Sequence, residues 1–137
     1  MKGMDVVEML ARYFRVGLQD GDSCVEVFVD ETLLVRCFYR GDWMYFTGDI
    51  ATVQPTDFVK IKRMLQWNLA RITEKNDTLT YNPQTTMLYL LRKKPLAQLF
   101  ADNVFREAES FVENLTFWSE AFLYTGMSSG VAYVNRF

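Results

Sequence analysis

The sequence predicts an α+β domain: a twisted antiparallel sheet of about five strands braced by three helices, in the order α-β-β-β-α-β-β-α. Three observations carry this. Val104, Ala108, Phe111, Leu115, Trp118 and Phe122 recur at alternating steps of four and three, which draws one apolar stripe down a long helix. Two earlier segments, from Val6 and from Phe58, show the same helical spacing. Between them lie short β-rich runs punctuated by turn residues, which make a tight antiparallel meander and a later hairpin.

The first helix is announced by Asp5-Val6-Val7-Glu8, which has capping-box spacing. Val6, Leu10, Tyr13, Phe14 and Gly17 then share a face, and the helix is expected to end near Leu18, before Asp20-Gly21-Asp22. Strands are expected around Cys24 to Val29, Leu33 to Arg40 and Trp43 to Thr47, separated by Asp30-Glu31-Thr32 and by Gly41-Asp42. Pairing about the first turn sets Cys37 opposite Val25 and puts Cys24 on the other face, so both cysteines read as reduced thiols. Alternation gives one wholly apolar face, with Val25, Val27, Val29, Leu33, Val35, Cys37 and Tyr39. The other face is apolar but interrupted by Glu26, Arg36 and Arg40. A sheet with water on one side shows a cleaner polar face, so two readings stand level: irregular edge strands, or a second face that receives another chain.

After Pro55-Thr56-Asp57, a second helix carries Phe58, Ile61, Leu65, Leu69 and Ile72 as its stripe. Met64 and Trp67 fall outside that stripe, on a helix otherwise set with Lys60, Lys62, Arg63, Arg71 and Lys75. They could fold beneath a loop; a subunit contact is favoured, because Trp and Met are enriched at interfaces. Its candidates are Met64, Trp67, Asn68 and Arg71. Thr78 to Tyr81 and Thr86 to Leu91 form a hairpin about Asn82-Pro83-Gln84-Thr85. The last helix starts after Asp102 or Asn103 as N-cap and runs to about Tyr124, a length of ~33 Å. Residues 1–125 thus read as one domain, and 126–137 as a tail that docks on the apolar sheet face or frays.

Composition narrows the function. The 137 residues hold 15 basic and 17 acidic side chains, a net charge of -2, which argues against general affinity for nucleic acid. No run approaches the ~20 apolar residues of a membrane helix, and the N-terminus shows no leader pattern, so a cytoplasmic location is expected. The absence of histidine removes the usual general base, the usual catalytic triad and the commonest metal ligand. Two separated cysteines do not make a zinc site, and the glycines never fall into a phosphate-loop spacing. Gly126-Met127-Ser128-Ser129-Gly130 matches the nucleophile-elbow pattern in form, but without the strand, helix and downstream histidine that the motif needs. Neither catalysis nor a cofactor is expected. The 11 Phe, 7 Tyr and 3 Trp exceed what one small core readily hides, so some of this surface is expected to meet a partner.

Three stretches resemble the class I type III secretion chaperones. Met64-Leu65-Gln66-Trp67-Asn68-Leu69 looks like that family's leucine-rich helix with a following Asn, and Thr78 to Leu90 is similar to its hairpin. Lys94-Pro95-Leu96 leading into Phe105 to Trp118 resembles its proline exit and aromatic helix. The likeness spans about Asp5 to Phe122. It departs from the family at Arg92-Lys93-Lys94, where an apolar residue often precedes the proline, and the tail has no counterpart. The resemblance implies a dimer of the bacterial cytoplasm, homomeric or heteromeric, that keeps the N-terminal segment of a secreted effector extended, soluble and competent for secretion. It also implies contact with the secretion ATPase. Phe14, Phe28, Leu34, Phe38 and Tyr39 are the candidates to line the effector-binding grooves. The element order is also similar to that of the YbjN-like bacterial proteins, which would make the chain a regulatory module that binds a folded partner. A small hydrolase using Ser128 is the remaining rival.

Overall fold

The computed structural model describes residues 1–19, 21–71 and 77–125, and for 67–71 and 125 it describes the backbone alone. Helix α1 (Gly3–Phe14) leads into strands β1 (Cys24–Val29), β2 (Leu33–Arg40) and β3 (Trp43–Thr52). A short 3-10 turn, Pro55–Asp57, opens α2 (Phe58–Arg71). Strands β4 (Asp77–Asn82) and β5 (Met87–Pro95) follow, then α3 (Val104–Thr125). The element order is the one expected from sequence. All strand pairs are antiparallel, and the sheet order is β1-β2-β3-β5-β4.

Local chemistry sets the boundaries, not always where the motifs suggested. Helix α1 begins earlier than the Asp5 cap implied. Lys2 is its N-cap, and Asp5, one turn in, accepts the Lys2 backbone N–H at 3.3 Å. It also ends earlier, at Phe14, because Arg15 turns left-handed at φ 58° and its N–H returns to the last carbonyls of the helix. Asp30 and Glu31 both take positive φ in the first hairpin loop, which pairs Val29 with Leu33. Gly41, at φ 59°, lets a two-residue turn pair Arg40 with Trp43.

Strands β3 and β5 are longer than expected. They pair from Trp43↔Pro95 to Thr52↔Met87, with an irregularity between Asp49 and Ala51 that leaves Ile50 unpaired. The charged run Arg92-Lys93-Lys94 therefore belongs to the sheet. Alternation sends Arg92 into the core and Lys93 outward, and Lys94 reaches Glu107 at 2.8 Å.

The described helices pack on one face of the sheet. Val104, Ala108, Phe111, Leu115 and Trp118 of α3 are buried there with Val25, Val35, Cys37, Met44, Phe46, Leu88 and Leu90 of the strands, and Phe122 packs at the margin. Gly48 of β3 marks the closest approach of helix to sheet, since a Cβ there would lie 2.4 Å from Leu115 Cδ2. Inside this core sits a polar cluster. The Arg92 guanidinium forks onto the Asp77 carboxylate, with Nη2 to Oδ2 at 2.8 Å, and also donates to the Glu107 carbonyl at 3.0 Å and to Ser110 Oγ at 3.2 Å. Asn114 Nδ2 donates to Asp77 Oδ2 at 2.7 Å. Each buried charge is thus paired and hydrogen-bonded, the condition under which burial is tolerable, and β4, β5 and α3 are joined at one point.

Helix α2 is rotated from the expected stripe. Met64 is fully buried and Ile61 packs on the core, whereas Phe58 and Leu65 are exposed. The apolar sector of this helix is wide enough to be buried along either edge, and packing against α3 and β4 selects the edge with Met64. Met64 is therefore a core residue of its own chain and cannot serve as the subunit contact expected of it. The side chains of Trp67, Asn68 and Arg71 lie outside the described residues, as do Ile72 and the tail with Ser128.

Candidate functional site

With the helices on one side, alternate residues of every strand project from the other. The strand register lays them out in rows. Cys24, Phe38, Tyr45 and Lys93 form one row; Glu26, Arg36, Thr47 and Leu91 form the next. Phe28 faces Leu34 in the following row, and farther across the sheet Asp49 faces Tyr89, which faces Thr80. Trp43 lies opposite Arg40 at the near end. Most of these side chains are half-exposed, and Phe28 is 63% exposed.

The face divides into two apolar zones separated by an ionic row. Phe38 stacks on Tyr45 at 5.2 Å between centroids, with Trp43 beyond them. Phe28 and Leu34 mark the other end. Between them Arg36 bridges Glu26 at 2.9 Å and Asp49 at 3.4 Å. Burial alone would lower the Arg36 pKa, but the hydrogen bond to Glu26 and the field of Asp49 outweigh it and hold it above its ordinary value. A depression of about 380 Å³ opens beside this row, lined by Arg36, Thr47, Asp49, Asn82, Thr85, Met87 and Tyr89.

Among the described residues, strand β1 ends the sheet on one side and pairs only with β2. Its sequence, Cys24-Val25-Glu26-Val27-Phe28-Val29, has high β propensity and one charge. Edge strands are usually blunted by lysine, proline or a bulge; this one carries none of them, so its outer backbone groups are a template for another strand. A second apolar surface lies on the helices. Phe58, Val59 and Leu65 of α2 and Leu123 and Tyr124 of α3 are exposed, and Lys60 Nζ sits 4.0 Å over the Phe122 ring, which brings the two helices side by side.

The five residues expected to line a groove separate into two groups. Phe28, Leu34 and Phe38 share the open face. Tyr39 points the other way: its ring lies beneath Gly3, where a Cβ would meet it at 2.3 Å. Phe14 also belongs to the helical side, edge-on to Tyr13 at 4.9 Å. Trp43, Tyr45, Tyr89 and Lys93 were missed by sequence reasoning. A signal for them existed, since a two-residue Gly41-Asp42 turn fixes Phe38 opposite Tyr45 and Arg40 opposite Trp43. Among the described residues no group of three His, Cys, Asp or Glu side chains could hold a metal ion. What the open face offers is rings, aliphatic groups, paired charges and a bare strand edge, the equipment for holding a peptide segment.

No protein-family model matches the chain, and no curated protein matches its sequence. Solved structures do share its fold. A chain of the ExsC–ExsE complex superposes with a TM-score of 0.66 at 13% identity, covering 85% of this chain and 90% of that one. A chain of the HopA1–SchA chaperone–effector complex gives 0.67 at 13% identity, with 85% and 92% coverage. YbjN, a putative transcription regulator from E. coli, gives 0.57 at 11% identity, with 90% and 91% coverage. The resemblance to the class I secretion chaperones therefore holds at the level of the fold.

Proposed function

We propose that the protein is a type III secretion chaperone of the bacterial cytoplasm, which binds the N-terminal segment of a secreted effector and keeps it extended and soluble. The observation that carries this reading is a sheet face that no described element covers, with a β1 edge that is unpaired among the described residues. A client strand added to β1 gains backbone hydrogen bonds, while its alternate side chains meet Phe28 and Leu34 beside it, and the chain that follows is free to cross the open face toward β5. The likeness to a chain of a chaperone–effector complex supports it. The same reading makes the exposed apolar side chains of α2 and α3 the contact with a second copy, and leaves hand-over to the secretion ATPase as the step after client binding.

Co-expression with the product of the neighbouring reading frame tests the proposal. The chaperone should solubilise that protein and protect its N-terminal segment from protease, whereas the free protein is digested. A purified chain that binds no unfolded segment refutes it. For the dimer, Trp67→Glu should halve the mass seen by light scattering, and an unchanged mass removes α2 from the contact. The YbjN likeness favours a second reading, a regulatory module that binds a folded partner. That alternative predicts capture of the partner's folded domain and no protection of a disordered segment.

A further inference from the structure

We infer that the Trp43 end of the open face is a carboxylate-recognition site, so that the segment held there carries an aspartate or glutamate beside an apolar side chain. This rests on the proposal that the open face binds an extended client, and concerns the part of that client lying over β3 and β5 rather than the strand paired with β1.

The inference starts from charge. Arg92 and Lys94 of β5 are committed to Asp77 and Glu107, and Arg36 of β2 to Glu26 and Asp49. Lys93 and Arg40 differ: among the described residues, neither has a carboxylate within ion-pair distance. Lys93 Nζ lies 4.0 Å from the Trp43 ring centroid and 5.9 Å from that of Tyr45. The rings hold the ammonium in place and strip part of its water, so a carboxylate arriving there meets a cation already positioned. Arg40 stands opposite Trp43 and adds a second positive charge to the same end. Asp42, in the intervening turn, is the nearest carboxylate in sequence and bonds to neither cation.

The Arg36 cluster has the opposite sign, because Glu26 in its own row and Asp49 farther along β3 together exceed Arg36 by one negative charge. The face is therefore polarised along its strands. From Trp43 to Asp49 is six residues of strand, roughly 20 Å, a span that an extended segment of about seven residues covers. An acidic residue is attracted at the Trp43 end and repelled near Asp49, which selects one register for the segment. The stacked Phe38 and Tyr45 rings supply the surface for the apolar side chain next to the carboxylate.

The test uses the full chain and capped, fluorescein-labelled decapeptides of alternating valine and threonine, with glutamate, glutamine or lysine at one position near the end. By anisotropy at low salt, the glutamate peptide should bind about 2- to 5-fold tighter than the glutamine peptide, as expected for a solvent-accessible ion pair. Lys93→Gln should abolish that preference, and Lys93→Glu should transfer it to the lysine peptide. Lys93 is exposed, so both variants should fold, which circular dichroism checks. Peptides that bind equally well whatever their charge, or a preference that survives Lys93→Gln, overturn the inference and leave the chaperone proposal standing. If no peptide binds while the Lys93 variants change the oligomeric mass, the face is covered by a second copy, and both readings fail.

Discussion

Replacing Gly48 by alanine should destabilise the protein through a single contact. Gly48 faces α3, and a Cβ built on it would lie 2.4, 2.6 and 3.0 Å from Leu115 Cδ2, Cδ1 and Cγ. Non-bonded carbons settle at about 3.5 to 4.0 Å, so Leu115 or the helix must retreat by roughly 1 Å. Leu115 is fully buried, so a retreat presses on the core residues packed around it. Overpacking of this kind costs about 1 to 3 kcal/mol, offset by about 0.4 to 1 kcal/mol because alanine restricts the unfolded chain. The expected net loss is about 0 to 2.6 kcal/mol. Leu115→Ala alone should cost about 2 to 5 kcal/mol by leaving a cavity. In the double variant the new methyl group occupies that cavity, so the two costs should fall short of additive by about 1 to 3 kcal/mol. Urea titration followed by tryptophan fluorescence measures all three, with Trp118, one turn from Leu115 and 1% exposed, reporting on this region. Costs that add in the double variant would refute the packing argument.

Three further outcomes follow from other parts of the structure. Arg92→Met strands the Asp77 carboxylate in the core and should cost about 3 to 5 kcal/mol by the same titration, with Arg92→Lys intermediate because it cannot fork onto the carboxylate. Phe28→Asp should leave stability within about 0.5 kcal/mol, because the ring is 63% exposed, yet weaken capture of an unfolded segment about tenfold in a pull-down or anisotropy titration. Burial pushes the Cys37 thiol well above its ordinary pKa, and burial followed by the Glu26 charge raises Cys24. With folded pKa values above unfolded ones, the stabilising contribution of the neutral thiols is whole below the ordinary value of about 8.5 and erodes as pH rises beyond it. A disulfide-exchange reagent at pH 8 should therefore titrate Cys24 slowly in the native protein and Cys37 only after unfolding.

Much of the fold was legible because its signals are redundant. The stripe from Val104 to Phe122 tolerates only one buried face, and the Val25–Cys37 pairing follows from a hairpin in which a one-residue slip would turn every side chain over. Where a signal was ambiguous, the reading drifted. Helix α2 has apolar residues on both edges of its stripe, so nothing local distinguished Met64 inward from Leu65 inward; contacts with α3 and β4 decided it. The β5 extension through Arg92 was hidden for a related reason. A charged run reads as an exit from the sheet unless its buried partner is known, and Asp77 lies 15 residues away. Among the groove candidates, alternation puts Phe28, Leu34 and Phe38 on the open face, while Tyr39 has the opposite parity and lies on the helical side.

The division of the sheet into a helical side and an open side has a bearing on how such a sequence can diverge. Every strand residue that anchors a helix, from Val25 to Leu90, points one way, and the residues that would touch a client point the other. Replacing Phe28, Leu34 or Tyr45 disturbs no helix seat. Surface exchanges of this sort usually move stability by no more than about 0.5 kcal/mol. The open face can therefore be rewritten residue by residue while the scaffold beneath stays folded, and the 13% identity across which this fold is kept is the divergence such a scaffold can bear.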